Sequence, residues 1–422
     1  MEKLEWENGL RILLLPEEDA LSASVDVWVE AGSLYEDPAE QGISHFAEHM
    51  LFKGTEKRTA RRISEEIDAL GGSLNAYTTR QYTRFYAQVL SANPRPAEPG
   101  RVLDVLLDML LHSRFDPDDL GMERGVILDE IAMYEDMGED LAHEALCGTV
   151  WPASPMGWPV CGRPDTVAAV TSPALRRYVN RTYTPERILV VLTGHFVRDD
   201  LLQRLERALG TRPRGAGRPV VDTPGFRPGV ALLSKPFEQV SFEIGFPGLS
   251  FHHERRYAMM MLNFIVGGGA SSRLFQRLRE ERGLAYSVYS SHEAAAGTGL
   301  FTVSASVAPT NQQEVLREIR HILDGLCHGE AITPAELERA RAQIKASVIL
   351  GMETVASRAY YAGQNELFSG REIPVREMLG RFDAVTLEQV QSLAGETFSG
   401  PWAYAAAGPV CPAGEVEAIL GR

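Results

Sequence analysis

One order of elements occurs twice along this chain of 422 residues, and the repetition restricts the fold more than any single motif. In the first copy, Asn8-Gly9 marks a turn leading into Arg11-Ile12-Leu13-Leu14-Leu15, which predicts a hairpin. Ala23, Val25, Val27 and Val29 alternate with other residues as a strand does. A helix follows Gly42, then a strand pair through 71–77 and 84–89, then two helices over roughly 101–112 and 118–136. In the second copy Val240, Phe242, Ile244 and Phe246 alternate, and a helix over 255–266 breaks at Gly267-Gly268-Gly269 and resumes over 273–282. Strands near 285–291 and 300–307 follow, then helices over roughly 312–327 and 334–352. Pro117 and Pro334 stand in the first turns of matching helices, each behind a capping residue. The segment 211–229, rich in Pro, Gly and Arg, reads as a linker. The expected fold class is α+β: two homologous tandem domains, 1–210 and 230–422, each a mostly antiparallel sheet packed with helices.

Charge narrows the function classes. Lys+Arg 42 against Asp+Glu 57 gives a net charge of −15, so a basic nucleic-acid footprint is not expected. A negative lining would instead favour basic peptides. No apolar run reaches the roughly 18 residues of a spanning helix, so no membrane partner is expected. The start, Met1-Glu2-Lys3-Leu4-Glu5-Trp6, lacks the basic end and apolar core of a signal peptide, which predicts a cytoplasmic location. Cys147, Cys161, Cys327 and Cys411 have no CxxC spacing and read as free thiols, mostly buried.

The strongest chemical signal is His45-Phe46-Ala47-Glu48-His49. Two histidines four apart share one helical face, within reach of one ion. Ile43, Phe46, Ala47 and Met50 form the stripe that should face the core, which places His45, Glu48 and His49 on the other side. A solvated polar face is the bland alternative for that segment. A second helix weighs against it. There Glu123 and Glu130 fall within an apolar face formed by Val126, Ile127, Ile131, Met133 and Tyr134. Burying two carboxylates costs several kcal/mol unless a counter-charge is present, and a metal ion would supply one.

His45, His49 and one carboxylate make a zinc set with two nitrogens and one oxygen, leaving a fourth position for water. Glu48, between the histidines, is placed to take a proton from that water as general base, which predicts metal-assisted amide hydrolysis. Aligning Leu120 with Leu337 puts Ala340 and Ser347 where Glu123 and Glu130 stand, and no second HxxEH occurs. One Zn2+ per chain, in the N-terminal domain, is therefore expected.

These residues resemble the M16 metallopeptidases, the inverted-zincin group that includes pitrilysin, insulin-degrading enzyme and mitochondrial processing peptidase. The resemblance covers nearly the whole chain. His45 through Thr55 is similar to the family's core motif, and 123–130 to the segment with its third ligand. The resemblance implies Glu130 as that ligand and Glu123 as an accessory carboxylate. The spacing from His49 to Glu130 is longer than usual, and 91–100, with Pro94, Pro96 and Pro99, looks like the insertion responsible.

The family also carries an Arg and a Tyr seven apart that bind the substrate backbone and stabilise the tetrahedral intermediate; Arg279 and Tyr286 match. Asn75, Ala76 and Tyr77 match its active-site edge strand, to which a peptide adds as an extra strand. The resemblance implies an M16-like α/β roll. It further implies a zinc endopeptidase acting on short or unfolded peptides in a closed chamber, as a homodimer whose sites are completed in trans. The alternative is a noncatalytic partner or scaffold subunit of the same family, which usually lacks a ligand or the base.

Overall fold

The computed structural model describes residues 1–91, 98–218, 223–295, 297–328 and 331–421. In chain order the first half carries β1 (Glu2–Glu5), β2 (Arg11–Pro16), β3 (Ser22–Val29), α1 (Ile43–Leu51), α2 (Ala60–Ala69), β4 (Ser73–Thr78) and β5 (Thr83–Leu90). It continues with α3 (Glu98–His112), α4 (Pro117–Asp136), α5 (Gly138–Val150), α6 (Pro164–Ala169), α7 (Ser172–Thr182), β6 (Ile188–Gly194) and α8 (Arg198–Leu205). The second half has β7 (Gly229–Ser234), β8 (Val240–Pro247), α9 (Arg256–Val266), β9 (Ser287–Ala294), β10 (Gly299–Val307), α10 (Gln312–His328) and α11 (Pro334–Leu350). It closes with α12 (Val355–Ser369), α13 (Val375–Asp383), α14 (Leu387–Phe398), β11 (Ala403–Gly408) and α15 (Ala413–Leu420).

The duplication is visible in the sheets. One has the order β1-β2-β6-β3-β5-β4, the other β7-β11-β8-β10-β9. Without β1 the two orders match strand for strand. In each, one pair is parallel, β2 with β6 and β7 with β11, and the others are antiparallel. The fold is α+β with two homologous halves. β6 and β11 are late strands that return to the middle of each sheet, and the sequence reading placed neither.

The compact units interleave along the chain and do not follow 1–210 and 230–422 throughout. The first comprises Met1–Ile131, Pro159–Val221 and Leu350–Ile373; the second comprises Ala132–Trp158, Asp222–Ile349 and Pro374–Arg422. The physical reason is burial of the sheets' second faces. In the first unit one face packs Val25, Val27, Phe85 and Val190 with Phe46, Leu103, Leu106 and Tyr178. The other face, with Leu13, Trp28, Leu189 and Val191, is covered by Ala359 and Ala362 of α12. A Cβ on Gly363 would stand 2.5 Å from the Trp28 ring, so this contact requires glycine. Ion pairs hold α12 in place: Arg358 donates to both oxygens of Glu17, each at 2.7 Å, and Lys3 Nζ lies 2.8 Å from Glu366 Oε1. In the second unit α5 plays the same part against β8, β11 and β7.

Other expectations shift in detail. Val126 and Met133 do not share a buried face with the carboxylates of α4. They are 49% and 52% exposed, and the buried residues are Leu120, Glu123, Ile127 and Ile131. Only Cys147 is buried; Cys161, Cys327 and Cys411 are half-buried, and all four are free. Much of the expected insertion, 92–97, lies outside the described residues, while Pro99 and Gly100 sit in the first turn of α3. Part of the expected linker, 219–222, also lies outside them. Among the described residues no helix is long and apolar enough to cross a membrane.

Candidate metal centre

The centre begins with how α1 is started. Gly42 precedes it at φ +87°, and a Cβ there would stand 2.5 Å from the Cys161 carbonyl oxygen. The first turn's orphan N–H groups meet a buried acid: Gly42 N donates to Glu36 Oε2 at 2.7 Å and Ser44 N to Glu36 Oε1 at 2.8 Å. Burial pushes the Glu36 carboxyl up to about 7 against the pull of these hydrogen bonds. Ser44 Oγ lies 2.6 Å from Tyr178 Oη, fixing the same turn to α7. Glu36→Ala strands both N–H groups, so it should destabilise the chain by about 2–4 kcal/mol. Calorimetry on the folded variant checks this, and a melting temperature equal to wild type would refute it.

Ile43, Phe46, Ala47 and Met50 of α1 are 0–1% exposed and point into the core. His45 and Glu48 occupy the other side, yet they too are buried, at 7% and 9%. That side is therefore no solvated face. The His45 and His49 rings stand 4.6 Å apart, centroid to centroid. From α4, Glu130 Oε2 comes within 3.6 Å of Nε2 of each histidine. One ligand atom each from His45, His49 and Glu130 lie within 4.8 Å of one another. The edge of a tetrahedral site with zinc–nitrogen and zinc–oxygen bonds near 2.05 Å is about 3.4 Å, close to the 3.6 Å from Glu130 to each histidine. Burial, with His49 beside it, drives the His45 imidazole down to about 3, which leaves it neutral with a lone pair to offer.

Around these donors the other groups are ordered. Glu123 Oε2 lies 3.1 Å from His49 Nδ1, and Glu123 Oε1 lies 2.5 Å from Lys53 Nζ. The carboxylate therefore orients the ring, and the ammonium balances its charge. Glu48 accepts a hydrogen bond from Thr78 Oγ1 at 2.5 Å. Burial raises the Glu48 carboxyl above its ordinary value, with Thr78 and His49 pulling the other way. Tyr183, fully buried and affected by the Glu48 charge, is pushed well above the usual phenol range, chiefly by burial. The roles of Lys53, Thr78 and Tyr183 escaped the sequence reading. Lys53 was in plain view, four residues past His49 and just beyond the end of α1.

The remaining candidates fall into two places. Asn75, Ala76 and Tyr77 lie on β4, at the edge of the first sheet, a strand that among the described residues pairs only with β5. Asn75 Oδ1 accepts from Ala76 N at 2.8 Å. Arg279 and Tyr286 lie in the second unit, with the guanidinium carbon 5.1 Å from the Tyr286 ring centroid. Arg279 is carried on a π-helical stretch, Phe275–Glu281, and not on the ordinary helix expected from the sequence. Such stretches are rare and concentrate at functional sites. Tyr286 just precedes β9 and is 77% exposed. Ala340, the counterpart of Glu123, is fully buried.

Comparison with known proteins finds relatives along nearly the whole chain. Residues 11–163 match the model of insulinase, peptidase family M16, and residues 169–344 match that of the peptidase M16 inactive domain. The uncharacterized zinc protease YmxG of Bacillus subtilis is 36% identical over 403 residues, covering 96% of this chain and 97% of its own. The uncharacterized zinc protease SCO5738 of Streptomyces coelicolor is 38% identical over 412 residues, covering 96% and 88%. Among solved structures, a peptidase M16 inactive domain from Pseudomonas fluorescens superposes with a TM-score of 0.88 at 19% identity, covering 97% and 98% of the two chains. A protease from Helicobacter pylori does so with a TM-score of 0.86 at 21% identity, covering 96% and 98%. With both halves matched in order and close relatives along nearly its full length, the chain belongs to peptidase family M16.

Proposed function

We propose that this chain is a zinc-dependent endopeptidase that hydrolyses short or unfolded peptides. The observation that carries this reading is the meeting of His45, His49 and Glu130 beside a buried carboxylate, Glu48. When bound, zinc supplies Lewis-acid polarisation of the scissile carbonyl and lowers the pKa of water. His45, His49 and Glu130 hold the ion, one Zn2+ per chain. Glu123 holds the His49 ring through Nδ1, and Lys53 pairs with the other oxygen of Glu123. Glu48 accepts the proton of the attacking water and passes it to the leaving amine. Its raised proton affinity suits that exchange.

Substrate binding follows from the sheet edge. β4 leaves one row of main-chain groups unpaired by β5, and an extended peptide can pair with it through backbone hydrogen bonds alone. Asn75, Ala76 and Tyr77 line that edge. Recognition of this kind depends little on sequence, so side-chain preference rests on other contacts; the net charge of −15 favours basic peptides. Arg279 and Tyr286 offer a guanidinium and a phenol as donors to the developing oxyanion. We infer a homodimer in which they complete the partner's site within a closed chamber.

The test is zinc analysis paired with mass spectrometry of the products of an unstructured peptide, run beside sedimentation of the same preparation. The expected result is zinc bound, internal cleavage that stops on chelation and resumes on zinc addition, and a dimer. Cleavage indifferent to zinc would remove the mechanism, and a fully active monomer would remove the trans arrangement.

A further inference from the structure

Glu48 has one structural feature that hydrolysis by itself does not require. Its Oε2 accepts a hydrogen bond from Thr78 Oγ1 at 2.5 Å. Thr78 is the last residue of β4 and pairs with Thr83, the first of β5. The two hydroxyl oxygens are 3.2 Å apart, and Thr83 Oγ1 also reaches the Ala31 carbonyl oxygen at 2.9 Å. Each threonine has a single hydroxyl proton. The Ala31 oxygen can only accept, and it accepts from Thr83, while Thr78 Oγ1 donates to Glu48 Oε2. Thr78 therefore spends its proton on Glu48, and Thr83 its own on Ala31. Thr83 is fully buried, which holds this pair still.

We propose that Thr78 is a positioning residue for the general base: its hydroxyl engages Oε2 of Glu48 and leaves Oε1 as the oxygen that handles the proton. The inference rests on the peptidase reading above and extends it in one direction. The strand offered to the peptide is the strand that holds the base, so main-chain pairing along β4 and the placement of Glu48 share one rigid element. A substrate seated on Asn75, Ala76 and Tyr77 is thereby set at a fixed distance from the carboxylate. Such alignment matters because errors near an ångström in reacting groups cost about a hundredfold in rate.

A threonine in a strand needs no such role, since its β-branch alone suits the pleat. Thr78→Val separates the two explanations, because valine keeps the branch and removes the donor. On the full-length, zinc-loaded protein, Thr78→Val should lower kcat about 10- to 100-fold, with KM within about twofold of wild type. Zinc content and melting temperature should not change. Thr78→Ser, which restores the hydroxyl, should bring kcat back to within about threefold. A readout independent of turnover is the crystal structure of the Val variant, in which Glu48 should leave its wild-type rotamer or occupy more than one.

Wild-type kcat in the Val variant overturns the proposal. So does loss of zinc, a Ser variant as slow as Val, or a Glu48 rotamer identical to wild type. If the wild-type chain cleaves no peptide at all, the endopeptidase reading fails, and the rotamer comparison still decides Thr78.

Discussion

Glu48→Gln is expected to keep its zinc and to lower kcat by about 10²–10⁴-fold, the range seen when a general base is removed. Glutamine has the shape of glutamate, so the packing around α1 is undisturbed. Its carbonyl oxygen can still accept from Thr78, so the anchoring contact survives. The proposed zinc donors belong to His45, His49 and Glu130, and the substitution touches none of them. What is lost is the capacity to take up a proton. Product mass spectrometry and elemental zinc analysis on the same sample check both halves. Peptide cleavage at the wild-type rate would mean that another group is the base; zinc lost with activity would make Glu48 part of the metal set.

His49→Ala should act one step earlier and remove the metal itself. Outer-shell partners of a metal ligand contribute about 10- to 100-fold in affinity, and loss of a direct imidazole donor should exceed that. Two atoms of the ring are in use. Nε2 faces Glu130 Oε2 at 3.6 Å, and Nδ1 faces Glu123 Oε2 at 3.1 Å. Alanine therefore deletes a ligand and also releases Glu123 to its remaining partner, Lys53. Chelator competition should show zinc affinity collapsed and turnover absent, with the far-ultraviolet spectrum retained because Phe46, Ala47 and Met50 still anchor α1. Zinc held at wild-type affinity by the Ala variant would sink the proposed ligand set.

The two substitutions differ in what the sequence could say about them. His45, Glu48 and His49 are legible because they lie within five residues of one helix, where the helical repeat fixes which side chains meet. Glu123 and Glu130 drew notice as acids on an otherwise apolar stretch, but the stretch itself was misjudged. Val126 and Met133 are exposed, and Ile127 and Ile131 carry the packing. The hydrophobic pattern of α4 does not single out one face, so which side is buried is decided by what the helix packs against.

Thr78 illustrates a different limit. It ends the segment that resembles the edge strand, but its link to Glu48, 30 residues away in sequence, exists only once β4 lies beside α1. Lys53 is close to His49 along the chain, but its charge could not be assigned to Glu123 before α1 and α4 were brought together.

Alternating and helical periodicities record which residues face a core, and they recur in both halves; the sequence alone therefore determined the duplicated α+β plan and the motif on α1. Tertiary structure decided which helix covers which sheet face. α5 serves the second sheet and α12 the first, each contributed by the opposite half of the chain. The reason is that local periodicity says a face must be buried without naming what buries it. That choice is made by shape and volume between distant segments, as where Gly363 alone leaves room for Trp28.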